Sequence, residues 1–93
     1  MTQIIDDFMN PTNRINREGS NCHVGDIITW SMDKNHEQLF GKITKINKKS
    51  INVSLFDFHI YNHKLHLTDN SKTDNVCYNN LLFTRKLMIL RSI

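Results

Sequence analysis

Alanine is absent from this 93-residue chain, and proline (one residue), tryptophan (one), cysteine (two) and glycine (three) are scarce. Losing the strongest helix former argues against a helical bundle. The few glycines make no Gly-rich phosphate loop, and neither a G-x-S-x-G elbow nor an H-E-x-x-H pair occurs. The chain therefore reads as a binding module, with no catalytic residue and no cofactor expected. Cys22 and Cys77 are too few and too far apart for a disulfide framework or a C-x-x-C site, so both read as free thiols of a reducing compartment. No stretch approaches the roughly 20 apolar residues of a membrane span. The opening MTQIIDDFMNPTNR carries acids where a secretory signal would carry lysines and then an apolar run. A cytoplasmic location without a membrane partner is the expectation.

What the chain has instead is asparagine, isoleucine and lysine, 31 residues between them. This bias suits an AT-rich genome and favours β-branched strands and Asn-containing turns. The pattern is plainest over residues 23–55, HVGDIITWSMDKNHEQLFGKITKINKKSINVSL. Val24-Gly25-Asp26 makes a turn, after which Ile28, Trp30 and Met32 share one strand face and Thr29 and Ser31 the other. A polar turn over residues 33–38 leads to a second strand over 39–46. Residues 47–50 (NKKS) then turn the chain into a third, where Ile51, Val53 and Leu55 alternate. Two hairpins in series form a meander whose expected interior is Ile28, Trp30, Ile43, Ile46, Ile51 and Val53.

Beyond Leu55 the apolar positions change phase, since Phe56, Phe58 and Ile60 are even where the preceding set is odd. A β-bulge or strand break near Leu55-Phe56 is the expected cause. Tyr61-Asn62-His63-Lys64 reads as a turn, 65–67 as a short strand, and 68–75 (TDNSKTDN) as a long polar loop. Residues 76–83 follow as a strand and 84–93 as a closing strand or short helix. At the other end, residues 2–9 predict one or two helical turns with Ile4, Ile5, Phe8 and Met9 on a shared face, stopped by Asn10-Pro11. Residues 12–21 (TNRINREGSN) predict a poorly ordered linker. The fold class is thus mainly β: a small barrel of about five strands over residues 22–93, preceded by a helical or flexible extension over 1–21.

The wording of this block resembles the small SH3-like β-barrels of the KOW and Tudor type, particularly short phage and bacterial accessory proteins. The matching residues are Val24, Gly25, Asp26, Ile28, Trp30, Gly41, Ile43, Ile46, Asn47, Ser50, Ile51 and Val53. Leu81, Leu82, Arg85 and Lys86 resemble that family's closing segment. The likeness implies fold more than function, because such barrels serve many roles. It admits two: a nucleic-acid-binding or nucleic-acid-associated accessory protein, and an effector that binds and modulates a host protein such as a polymerase, nuclease or defence factor.

Charge leans toward the first and leaves the second open. Residues 1–33 carry a net −3 and residues 34–93 a net +6, so the basic surplus belongs to the expected barrel. Lys42, Lys45, Lys48 and Lys49 follow one another without an intervening acid, and Arg85, Lys86 and Arg91 come after the last one, Asp74. A basic hairpin grips DNA or RNA phosphates while an exposed ring stacks on bases. The candidate interface is Lys42, Lys45, Lys48, Lys49, Arg85 and Lys86, with Tyr61 as the ring, while Trp30 and the phenylalanines fill the core. The rival host-protein reading uses the apolar face of Ile4, Ile5, Phe8 and Met9. His59, His63 and His66 would align on a helix, but this stretch reads as strand and turn, and no metal site is expected.

Overall fold

The structure, a computed structural model, describes residues 2–6, 13–32 and 37–91, with the backbone alone at Thr2, Thr84 and Arg85. Its strands are β1 (Thr2–Ile5), β2 (Asn13–Arg14), β3 (Ile27–Met32), β4 (Gln38–Ile46), β5 (Ser50–Tyr61), β6 (Lys64–Cys77) and β7 (Phe83–Arg91). They join in one curled sheet of order β1-β6-β5-β4-β3-β7-β2, with every neighbouring pair antiparallel. The protein is mainly β, with seven strands where about five are expected, and no helix occurs among the described residues. None is therefore long and apolar enough to cross a membrane.

The meander of β3, β4 and β5 folds as its alternation dictates. Ile28, Trp30, Ile43, Ile51 and Val53 are buried in one cluster with Val76, Tyr78, Phe83, Leu87 and Ile89, and Ile46 packs against it. Gly41 admits the indole: a Cβ there would stand 3.3 Å from the far edge of the Trp30 ring and 3.1 Å from Val53 Cβ. The turn before β3 is pinned by Asp26, fully buried, whose Oδ2 accepts the His23 N–H at 2.8 Å. Its backbone completes the clasp, with Gly25 N–H donating to Ile43 O and Ile43 N–H to Asp26 O.

The phase change after Leu55 is not a simple flip of the strand. Ser54 pairs with Thr73 and Phe56 with Asp69, so one residue of β5 faces three of β6, and Ser71 there has φ 63°. The bulge expected near Leu55-Phe56 is present, but its extra residues sit on β6. Strand β5 keeps its alternation throughout, and the face that it buries changes instead. Its first half turns Ile51 and Val53 into the Trp30 cluster. Its second half turns Phe56 to the opposite face, onto a separate cluster of Ile5, Ile27, Phe40, Leu65, Leu67 and Leu90. A strand can bury opposite faces along its length when the sheet curls enough to cover each half from a different side.

Residues 2–5 are strand, not the expected helical turn. Isolated helices of so few residues are marginal, and β1 gains ladder bonds by pairing Thr2–Ile5 with Leu65, His66, Leu67 and Thr68. Ile5 is then buried and Ile4 is 50% exposed, so the two lie on opposite faces; Phe8 and Met9 fall outside the described residues. Within the linker expected over 12–21, residues 13–21 are tied down at a few points, with Ile15 and Gly19 buried and the others exposed. Asn13 and Arg14 pair with Ile89 and Met88, and Ile15 is 3% exposed with its N–H on Leu87 O at 3.0 Å. Side chains satisfy the loop that follows: Asn16 Oδ1 accepts the N–H groups of Glu18 and Ser20, and Asn21 Nδ2 donates to Arg14 O. Residues 2–5 and 13–14 therefore belong to the same sheet as the rest. Amide exchange at Ile15 should be slow, at the level of the β3 core; exchange at the rate of an open loop would contradict this packing.

The long polar loop expected over 68–75 is the middle of β6. Its composition suits an edge strand. The N–H groups of Ser71, Lys72 and Asn75 are taken by Asp69 Oδ1, Asn70 Oδ1 and Asp74 Oδ1, which blunts this stretch against pairing with another chain. Strand β6 ends at Cys77, a turn follows, and β7 begins at Phe83, so Leu81 and Leu82 are exposed turn residues, not part of a closing strand. The turn expected at residues 61–64 is present as a two-residue hairpin, with Asn62 and His63 both at positive φ (52° and 61°).

Candidate functional site

Lys42 and Lys45 are three residues apart, a spacing that puts strand residues on opposite faces. Here Lys42 pairs with Ser54, Ile43 with Val53, and Lys45 with Asn52, which leaves Thr44 as an extra residue in β4. The bulge returns Lys45 to the face of Lys42, because Asn52 and Ser54 share one side of β5. Thr44 is fixed by its Oγ1, which donates to Asn52 O at 3.1 Å. Both lysines thus stand on the face away from Trp30, and residues 47–50 carry Lys48 and Lys49, exposed, at the end of the same hairpin.

That hairpin end is braced. Asn47 N–H closes on Ser50 O at 2.8 Å, Tyr78 N–H donates to Lys49 O at 3.2 Å, and Tyr78 Oη donates to Asn47 O at 2.8 Å. The Tyr78 ring in turn occupies the space where a Cβ on residue 19 would lie, and Gly19 has φ 66°. Burial raises the Tyr78 pKa, with the nearby Cys22 adding to it, so its hydroxyl stays protonated as the hydrogen bond requires. Beside Lys45 lie neutral amides and a hydroxyl, where Asn75 Nδ2 donates to Asn52 Oδ1 at 2.7 Å and Ser50 Oγ at 3.0 Å, and Asn47 Nδ2 to Asn52 Oδ1 at 3.2 Å; beside Lys42, Asp69 accepts from Ser54 Oγ at 3.4 Å and lines the same small cleft. None of the four lysines has a carboxylate partner among the described residues, where Lys64 pairs with Asp6 at 3.5 Å.

Tyr61 does not join this group. It lies eleven residues along β5 from Ser50, on the order of 30 Å at about 3.3 Å per residue, and on the face opposite to Asn52 and Ser54. Its neighbour is His66, edge to face at 6.0 Å, and His66 stacks on His59 at 4.9 Å. The rings on the lysine face are Phe56, half-buried, Phe40, buried, and Phe58, 42% exposed and tilted on Phe40 with ring centres 4.7 Å apart. Phe58, expected in the core, is instead partly open. The phase change is the signal that points to it, because its even positions are those of Asn52 and Ser54.

Arg85 and Lys86 lie on β7, two strands from β4 and level with Gln38, at the end of β4 remote from Lys45. The base level with Lys42 is Arg91, since both pair with Ile27. The apolar surface of Ile4 and Ile5 is divided between two faces. His59 and His66 form a cross-strand pair, and no group of three or more metal-ligating side chains occurs among the described residues. Both cysteines are free: Cys77 is exposed, whereas Cys22 is buried with its Sγ donating to Gly19 O at 3.2 Å. Burial raises the Cys22 pKa and the Asp26 carboxylate raises it further, which keeps it a thiol and a poor nucleophile.

No family model, curated protein or solved structure matches the chain.

Proposed function

We propose that this protein is a non-catalytic nucleic-acid-binding module, a small barrel of SH3-like kind that grips the phosphate backbone of DNA or RNA with the β4–β5 hairpin. The observation that carries this reading is the bulge at Thr44, which gathers Lys42 and Lys45 on one face beside the hairpin end bearing Lys48 and Lys49. A bulge that re-aims a side chain in this way is a common device next to functional surfaces. Lysines without an ion-pair partner among the described residues suit a ligand whose negative charges repeat and whose sequence is not read. The host-protein reading has less support, because its apolar surface is split between faces at Ile4 and Ile5.

Fluorescence anisotropy with a short labelled oligonucleotide tests the proposal. Neutralising one phosphate per lysine gives a slope of log K against log salt of about −3, so affinity should fall roughly 60-fold between about 50 and 200 mM salt. Absence of salt-dependent binding to any DNA or RNA would overturn it.

A further inference from the structure

We propose that the cleft beside Phe58 holds one unpaired base, which makes the ligand a single strand and not a duplex. This inference rests on the nucleic-acid reading and names its substrate class. The cleft measures about 370 Å³, within the range of roughly 300–1,000 Å³ found for small-molecule sites. Phe40, Phe56 and Phe58 line it together with Leu39 and Leu55. Phe58 is held on Phe40 yet keeps 42% of its surface open, which is the condition of a stacking platform: fixed in place and accessible.

Its position relative to the lysines carries the argument. Phe40 and Lys42 are two residues apart on β4, hence on one face and about 7 Å apart along the strand. Phe56 borders both this cleft and a smaller neighbouring one that Lys42, Ser54, Gln3 and Asp69 line. The basic row therefore runs into the aromatic cleft without a change of face. Glu37, Asp57, Asn70 and Lys72 also line the cleft, with Asp57 Oδ1 accepting from Asn70 Nδ2 at 3.2 Å. A base within a duplex is stacked on its neighbours and cannot enter such a cleft, whereas an unpaired one can.

The test compares a labelled single strand with the matching duplex, using the wild type, Phe58→Leu and Phe58→Tyr. Phe58→Leu keeps apolar bulk on Phe40 without a π-face, and Phe58→Tyr restores the face. The wild type should prefer the single strand at equal salt. Phe58→Leu should weaken single-strand binding by roughly 5- to 150-fold, the effect of losing one stacked base, with the salt slope and duplex affinity unchanged. Phe58→Tyr should bind like the wild type. If all three proteins bind both ligands equally with the salt slope intact, the base site is overturned and the backbone reading stands. If no salt-dependent binding occurs at all, both fall together.

Discussion

Trp30→Ala should lower the unfolding free energy by about 3–5 kcal/mol, the usual cost of emptying a large aromatic site in a core. For a domain of this size total stability is on the order of 5–14 kcal/mol, so the variant would lose a large share of it. The reason is local. Trp30 is 1% exposed, fills the middle of the larger cluster, and crosses β4 at the one position, Gly41, where no side chain blocks it. The cavity would be bounded by β3, β4 and β5, strands already committed to ladder pairing, and so would collapse poorly. Chemical denaturation followed by circular dichroism measures the loss, and an unchanged midpoint would show that the register of β3 against β4 is wrong.

Changing Lys42, Lys45, Lys48 and Lys49 together to Gln should flatten the salt slope by about 0.7–0.9 for each phosphate no longer neutralised, in total by about 3, and abolish most binding at low salt. The loss should be nearly the same for all nucleic-acid sequences, because these side chains meet the backbone and not base edges. Stability should hardly move, since exchanges at exposed polar positions away from the core usually stay within about 0.5 kcal/mol each. Lys86→Gln is the matched control. It removes a positive charge remote from the hairpin, so its effect on the slope should be no more than that of a single phosphate. A quadruple variant with the wild-type slope would reduce the lysine row to a solvated surface.

The meander is legible in the sequence because its period is local: alternation over Ile28–Trp30 and Ile51–Val53 fixes which face is buried whatever the topology. The ends are not. Residues 2–5 fit a helical turn or a strand about equally well by local pattern, and the choice is made by the free edge of β6 at residues 65–68, which no local window contains. Ile15 is one apolar residue in a polar run, so composition marks its surroundings as linker; what orders them is the space beside Leu87 and the Asn16 and Asn21 side chains that satisfy the backbone. The stretch 68–75 misleads for the complementary reason, since turn-forming Asn, Asp and Ser also serve a strand edge that caps its own N–H groups.

The candidate site divides in the same way. The charge of the lysine hairpin is plain in the sequence, but its geometry depends on the bulge at Thr44, which no residue pattern announces. Tyr61 is the ring left over by the phase change only if both halves of β5 bury the same side. Because the burial changes face after Leu55, Phe58 stands on the same face as Lys42 and Lys45, and Tyr61 on the reverse of the sheet.

Amide chemical-shift mapping during titration with a short single-stranded oligonucleotide tests the central claim, that the β4–β5 face away from Trp30 is the nucleic-acid interface. The largest changes are expected at Lys42, Lys45, Lys48, Lys49, Ser54, Phe56 and Phe58, with Tyr61, His66 and Leu81 unmoved. Changes centred on Tyr61 and His66, or none along the lysine row, would contradict it.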